Sequence, residues 1–182
     1  MKAKNIKYKI KPKPILFDRQ GTNVNRQKCI YNFLSKHPSA VIASIDQSNN
    51  PHASVIYINV DNDLNISFLT KNNSHKYKNL KNNNHVMIVV YDLQSQMVAQ
   101  IIGLAKEIKN ADNINKIISK MLNSSFIKSS TSNLAVNELS LADIRAFRVV
   151  PDEIRMACYD QPLSESDDLN FLESVQSFDL QF

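Results

Sequence analysis

Residues 67–92, SFLTKNNSHKYKNLKNNNHVMIVVYD, are the part of this chain that decides its fold. The stretch begins and ends with apolar runs rich in β-branched and aromatic residues, which are typical of β-strands. The segment between them is polar and cationic. Within it, Ser74 is a suitable N-cap for a short helix over 75–82, and Lys76 adds a positive charge near the start of that helix. The sequence therefore predicts a strand, a short helix and a second strand, with anion-binding groups at the start of the helix.

Composition predicts one domain with two charged ends. The chain has 182 residues, of which 43% are hydrophobic, and this is enough for a single domain with a core. Residues 1–30 hold nine lysines and arginines against one acid, whereas the residues after Pro162 hold five acids and no base. We therefore predict a basic arm over 1–24, a folded domain over 25–160 and an acidic tail over 161–182. The arm carries no base-reading motif, so we expect a solvated arm or an edge strand and no nucleic-acid partner.

Several classes of protein are disfavoured by the residues present. Cys29 and Cys158 lie far apart and in no metal-ligand spacing, so we expect two buried thiols in a reducing compartment rather than a disulfide or a zinc site. The four histidines form no HxxxH or HExxH pair. No apolar run approaches the length of a membrane span, and no secretory signal follows the basic start. The sequence thus predicts a cytoplasmic protein with no metal centre and no membrane partner.

Strand-forming segments dominate the rest of the chain. A helical pattern in NVNRQKCIYNFLSKHP ends at Pro38, and a second one covers residues 111–122. Gly103 interrupts a strand, where it indicates a bulge or a close backbone approach. Strand patterns bounded by turn-forming residues lie at 40–46, 51–60, 64–70, 85–92, 96–108 and 143–160, the last broken at Pro151. Six or seven strands with few helices predict a mainly β fold, in which an antiparallel sheet closes into a barrel.

Two of these strands are apolar on both faces. The runs VIYI and MIVVY lack the alternation of polar and apolar residues that a strand with one solvated face shows. Such strands need a second layer, so we expect either a helix or a partner subunit to cover the outside of the sheet.

The order of these elements resembles that of a known family. A helix ending in FLSKHPSAVIAS leads to PHASVIYI, ISFLT, SHKYKNL, HVMIVVYD and AQIIGLAKEI. This succession resembles the pyridoxamine-5'-phosphate-oxidase-like family of flavin-binding split barrels, over residues 28–109 and again over 142–159. No single segment is a signature, and the ordered set carries the resemblance. It implies a split β-barrel of six to seven antiparallel strands with short flanking helices, an FMN cofactor and a homodimer with FMN at its interface.

The resemblance also implies which residues hold the FMN. In the family a lysine in an S-x-K-x-x-N-L segment binds the phosphate. Lys76 is at the position of that lysine, and Ser74 is at the position of the serine. Thr70 matches a threonine that reaches the phosphate region, and Gln100 is the best match for an amide that bonds the edge of the ring. The strand that lines the flavin ring corresponds to Ser54, Val55, Ile56, Tyr57 and Ile58.

The chain departs from the family pattern at the phosphate. Many members have arginine at the positions of Ser54 and His75. We therefore expect weaker binding of the phosphate, unless Lys71 or Lys78 replaces the positive charge of the missing arginines.

A second departure concerns the substrate. True oxidases of this kind have a substrate-binding lysine where this chain has Asn59, and an arginine followed two residues later by a histidine. Arg155 has no such histidine after it, and the chain end is acidic, which repels a phosphorylated substrate. The sequence therefore predicts little pyridoxamine-phosphate oxidase activity.

Three function classes follow. The favoured one is an FMN-dependent oxidoreductase acting on an unidentified small molecule, in which the flavin supplies the redox chemistry. The second is a flavin-binding carrier or redox sensor without turnover. The third is a heme-binding or heme-degrading split barrel, with His52 or His75 on the iron. A deazaflavin in place of FMN is a further alternative.

Overall fold

The computed structural model describes residues 23–123, 141–158 and 173–176, which form a mainly β fold. The helices are Asn23–Lys36 (α1), His75–Asn82 (α2) and Ala111–Asn123 (α3), with a 3-10 turn at Leu141–Asp143. The strands are Ser39–Ile45 (β1), Pro51–Val60 (β2), Ile66–Lys71 (β3), His85–Asp92 (β4), Met97–Ile108 (β5), Ile144–Cys158 (β6) and Glu173–Gln176 (β7). The predicted basic arm lies almost entirely outside the described residues.

Six of the strands close into an antiparallel barrel. The order is β3-β2-β1-β4-β5-β6, and the additional pairing of β3 with β6 closes the ring. β7 pairs with residues 153–156 of β6, so four residues of the predicted acidic tail belong to the sheet. The predicted antiparallel barrel with short flanking helices is therefore confirmed.

Alternation along β2 shows which side of the barrel wall is the interior. Ile56, Ile58 and Val60 are buried, while Val55 and Tyr57, which alternate with them, are exposed, as the two-residue period of a strand requires. Interior side chains from all six barrel strands form one apolar cluster, and the apolar face of α1 joins it. Each fully buried apolar side chain of this kind stabilises the fold by about 1.5–3 kcal/mol.

β6 runs through Pro151 as one strand, so the predicted break there is wrong. Its register with β5 shifts between Ile102 and Gly103, because Asp152 is an extra residue of β6 with no partner on β5, and this is a β-bulge in β6 opposite Gly103. On the other edge of β6, pairing with β3 ends at Val149 and pairing with β7 begins at Glu153, so the proline falls where no ladder bond is needed. A Cβ atom on Gly103 would overlap the carbonyl oxygen of Val150. The close backbone approach predicted at Gly103 is confirmed, and the bulge lies in the facing strand β6.

Helices cover only part of the outer barrel wall. α3 packs against β3 and β6 through Ile117 and Met121, which form a second apolar cluster with Ala146. α3 also contacts β2 near its end. No described helix covers the outer side of β1, of β4 and of the middle of β2, where Val55 is 68% exposed. We call this surface the open sheet face; its exposed apolar side chains are Val41, Val55, Tyr57 and Tyr91. None of the described helices is long and apolar enough to cross a membrane.

Candidate cofactor-binding site

The start of α2 is held by a hydrogen-bond network around Ser74. The Ser74 hydroxyl donates to the carbonyl oxygen of Lys71 at 2.9 Å and accepts from the backbone N–H of Tyr77 at 3.0 Å. Because its only proton is used in this way, the Thr70 hydroxyl must be the donor in the 2.9 Å bond between Thr70 Oγ1 and Ser74 Oγ. The N-cap predicted at Ser74 and the helix bounds 75–82 are both confirmed.

The first turn of α2 keeps two backbone donors for a ligand. The N–H of Tyr77 is used by the cap, and that of Lys78 donates to the Ser74 carbonyl oxygen at 3.2 Å. The N–H groups of His75 and Lys76 have no acceptor within the described part of the chain. Free amides at a helix start, together with the helix dipole, favour a bound anion.

Lys76 places a half-buried ammonium group beside these amides. Its Nζ lies 3.4 Å from Ser54 Oγ and 5.9 Å from the centre of the Phe68 ring. Burial lowers the pKa of the Lys76 ammonium below its usual value, because desolvation disfavours the charged form. Among the residues described, no carboxylate forms an ion pair with this group. A bound anion would therefore supply a counter-charge that the protein itself does not.

These groups open onto a pocket of about 330 Å³ between the ends of β1 and β2 and the start of α2. Ser44 on β1 is the cross-strand partner of His52 on β2. The buried Asn79 Nδ2 donates a hydrogen bond of 3.2 Å to Ser44 Oγ. The pocket is lined by Ser44, His52, Ala53, Ser54, Ser74, His75 and Lys76. Strand pairing and helix capping thus bring hydroxyl, imidazole and ammonium groups from three separate segments to one place.

His52 is anchored by the loop between β1 and β2. Its Nε2 lies 3.1 Å from Asp46 Oδ2, and Asp46 also accepts hydrogen bonds from the backbone N–H groups of Asn50 and Ser48 and from the Asn50 side chain. These bonds, those from Asn50 first, hold the pKa of the Asp46 carboxyl well below its usual range. The rings of His52 and His75 are nearly parallel, with an angle of 7° and centres 6.4 Å apart.

The structure brings most of the predicted phosphate ligands together. Ser54, Ser74, His75 and Lys76 line the same pocket, and Thr70 is hydrogen-bonded to one of them. Sequence reasoning did not place Ser44 in this site, and it named His52 only as an iron ligand of the heme alternative and not as a phosphate ligand. Their cross-strand pairing, which depends on the length of the turn between β1 and β2, was the only signal that could have found them.

The other predicted ligands lie elsewhere. Ile56 and Ile58 point into the core, whereas Val55 and Tyr57 belong to the open sheet face. Lys71 is exposed and, by strand alternation, on the opposite side of β3 from Thr70. Residue Gln100 is separated from Val55 by the intervening strands β4 and β1, since Gln100 pairs with Val89, Val89 with Val41 and Val41 with Val55. Three strand spacings are about 14 Å, so one chain does not bring Gln100 to the pocket.

A second pocket of about 150 Å³ lies at the other end of β2, between α1, β2 and α3. Tyr57 and Asn59 are among its lining residues.

No group of three His, Cys, Asp or Glu side chains in the described ranges is arranged to hold a metal ion.

The barrel and the helix that caps its pocket define this chain as a split β-barrel protein. The family model described as pyridoxamine 5'-phosphate oxidase matches residues 27–158, and the chain belongs to that family. No curated protein matches the chain.

Solved structures share the fold at low sequence identity. General stress protein 26 from Bacillus anthracis is 15% identical, with a TM-score of 0.57, over 72% of this chain and 92% of its own. An FMN-binding, pyridoxamine 5'-phosphate oxidase-related protein from Nostoc punctiforme is 10% identical, with a TM-score of 0.55, over 84% of this chain and 94% of its own. A heme-binding protein from Mycobacterium smegmatis is 10% identical, with a TM-score of 0.63, over 87% of this chain and 59% of its own.

Proposed function

We propose that this protein binds FMN and that Lys76 is the main ligand of the FMN phosphate. The observation that carries the proposal is the half-buried ammonium of Lys76, which has no carboxylate partner among the described residues and lies beside two free helix amides. A phosphate with a charge of about −1.5 to −2 supplies the missing counter-charge. Ser54 accepts the hydrogen bond from Lys76, so its own hydroxyl proton is available to a phosphate oxygen.

The rest of β2 fits a flavin ring. Val55 and Tyr57 offer an apolar surface on the outer side of β2, opposite the side on which Ser54 lies. The edge of β2 beside these residues is not paired with β3, whose pairing with β2 begins at Ile58, so a ligand can cross this edge from the phosphate pocket to the outer side. The pocket that includes Asn59 lies further along the same strand. When bound, FMN supplies hydride or electron transfer, while the protein orients the ring and excludes water. We infer that the protein is an oxidoreductase that acts on a small molecule, and we nominate no side chain as acid or base.

The spectrum of the purified protein is the test of this proposal. We expect the two absorption bands of an oxidised flavin, or their perturbation when FMN is titrated into colourless protein. The named relatives include an FMN-binding and a heme-binding protein, so the competing outcome is a Soret band with an iron ligand at His52 or His75. Failure to take up FMN would contradict the proposal.

We further propose that two copies of the chain pair through the open sheet face. This surface is apolar and solvent-exposed in one chain, and such surfaces commonly mark an interface. A twofold arrangement would bring Gln100 of a second copy towards the ring that Val55 and Tyr57 hold in the first. The separation of Gln100 from the pocket within one chain supports this arrangement.

Light scattering on a charge-insertion variant tests the dimer. We expect the unmodified protein to have the mass of two chains and Val55→Glu to have the mass of one, because a buried charge without a partner is unfavourable at an interface. Leu93→Glu is the matched control, since Leu93 is 74% exposed in the turn after β4. A monomeric mass for the unmodified protein, or a dimeric Val55→Glu, would contradict the proposed interface.

A further inference from the structure

We propose that His52, held in place by Asp46, is an additional ligand of the bound phosphate and that binding takes up a proton at the His52 ring. The inference rests on the proposed FMN site. It adds a residue that neither the sequence pattern nor the family resemblance assigned to the phosphate.

The position of His52 is set by the barrel. His52 and Ser54 are two residues apart on β2, so their side chains leave the strand on the same side. Ser54 is in hydrogen-bond contact with Lys76, and His52 lines the same pocket beside Ser44, its cross-strand partner. The imidazole therefore lines the same pocket as the Lys76 ammonium.

The contact with Asp46 decides which ring nitrogen can bind a ligand. An ionised carboxylate only accepts hydrogen bonds, so the 3.1 Å contact requires that His52 Nε2 carry a proton. In the neutral ring Nδ1 then has a lone pair, which repels a phosphate oxygen. When Nδ1 is also protonated, the ring becomes a cation that donates to the phosphate and is stabilised by Asp46. Binding of the phosphate and protonation of His52 are therefore coupled.

The other charged groups at the pocket are few. Asp46, from the β1–β2 loop, is the acid bonded to the ring, and α2 contributes Lys76 and His75. The remaining lining groups are the neutral Ser44, Ala53, Ser54 and Ser74. Because His75 is a second titratable ring facing His52, the two histidines must be replaced separately.

The experiment is titration of the full-length protein with FMN at pH 6 and pH 8, followed by flavin fluorescence. For the unmodified protein and for His85→Gln, we expect FMN affinity to fall with rising pH. His85 is a matched control because it is exposed at the start of β4 and does not line the pocket. In His52→Gln the fall should be smaller by about 10-fold, the value of one charge-assisted hydrogen bond. Titration of the phosphate itself is common to all variants and cancels in this comparison.

Two further measurements separate the outcomes. Riboflavin, which lacks the phosphate, should bind equally at both pH values, and calorimetry in two buffers of different ionisation enthalpy should show less proton uptake for His52→Gln than for His75→Gln. If FMN binds and His52→Gln keeps the pH dependence and proton uptake of the unmodified protein, the inference about His52 is wrong while the FMN site stands. If the unmodified protein binds no FMN at either pH, both proposals fail.

Discussion

Replacement of Lys76 by alanine is expected to weaken FMN binding by about 10- to 100-fold, which corresponds to the loss of one charge-assisted hydrogen bond of about 1.5–3 kcal/mol. The effect is large because the ammonium is half-buried, beside the free amides of His75 and Lys76. Fluorescence titration with FMN measures it. Lys78→Ala is the matched control, since Lys78 is an exposed lysine on the same helix that does not line the pocket.

The stability of the apoprotein shows whether Lys76 binds FMN or stabilises the fold. Burial lowers the pKa of the Lys76 ammonium in the folded protein, so the unfolded chain binds the ammonium proton more tightly than the folded chain does. At pH values below the pKa of Lys76 in the folded protein, the charged side chain therefore lowers the free energy of unfolding. That cost is relieved as the pH rises towards the ordinary lysine pKa. Lys76→Met keeps the aliphatic stem and removes the charge, so we expect the apoprotein to melt no lower than the unmodified protein while FMN binding is lost. Unchanged FMN affinity in either Lys76 variant would remove this residue from the site.

The local parts of the site were predictable because their signals are contiguous in sequence. Ser74 lies directly before a helical segment, and a serine side chain at that place has one favourable role, to cap the free amides of the first turn. The same applies to Gly103, where the absence of a side chain within a strand indicates a close backbone contact. Each feature depends on a few neighbouring residues, and each was found where it was predicted.

The parts that depend on pairing between strands were not predictable in the same way. His52 joins the site because the β1–β2 register sets it opposite Ser44 and because the turn returns Asp46 to its ring. Pro151 favoured a strand break on local grounds, yet the bulge in β6 at the next residue and the gap between β3 and β7 accommodate it. Period-two alternation also turned Lys71 away from the pocket, although it is adjacent to Thr70.

Substitution of Gly103 by alanine is expected to lower the free energy of unfolding by about 2–3 kcal/mol, in the upper range for overpacking a well-packed core. At Gly103 the added Cβ would overlap the carbonyl oxygen of Val150 and lie 3.0 Å from the Cα of Pro151, both of them backbone atoms. A flexible side chain could move aside, but here two paired strands must separate at the bulge that joins β5 to β6.

A melting temperature lower by roughly 5–10 °C follows from that free energy for a chain of this size, and thermal unfolding of the apoprotein followed by circular dichroism measures it. Lys106→Ala on the same strand is the control, because Lys106 is exposed and a surface change of this kind alters stability by about 0.5 kcal/mol or less. Since β6 pairs along one edge with β5 and along the other with β3, separation at the bulge also loosens the closure of the barrel. A Gly103→Ala protein with the same melting temperature as the unmodified protein would show that β5 and β6 are not in such close contact.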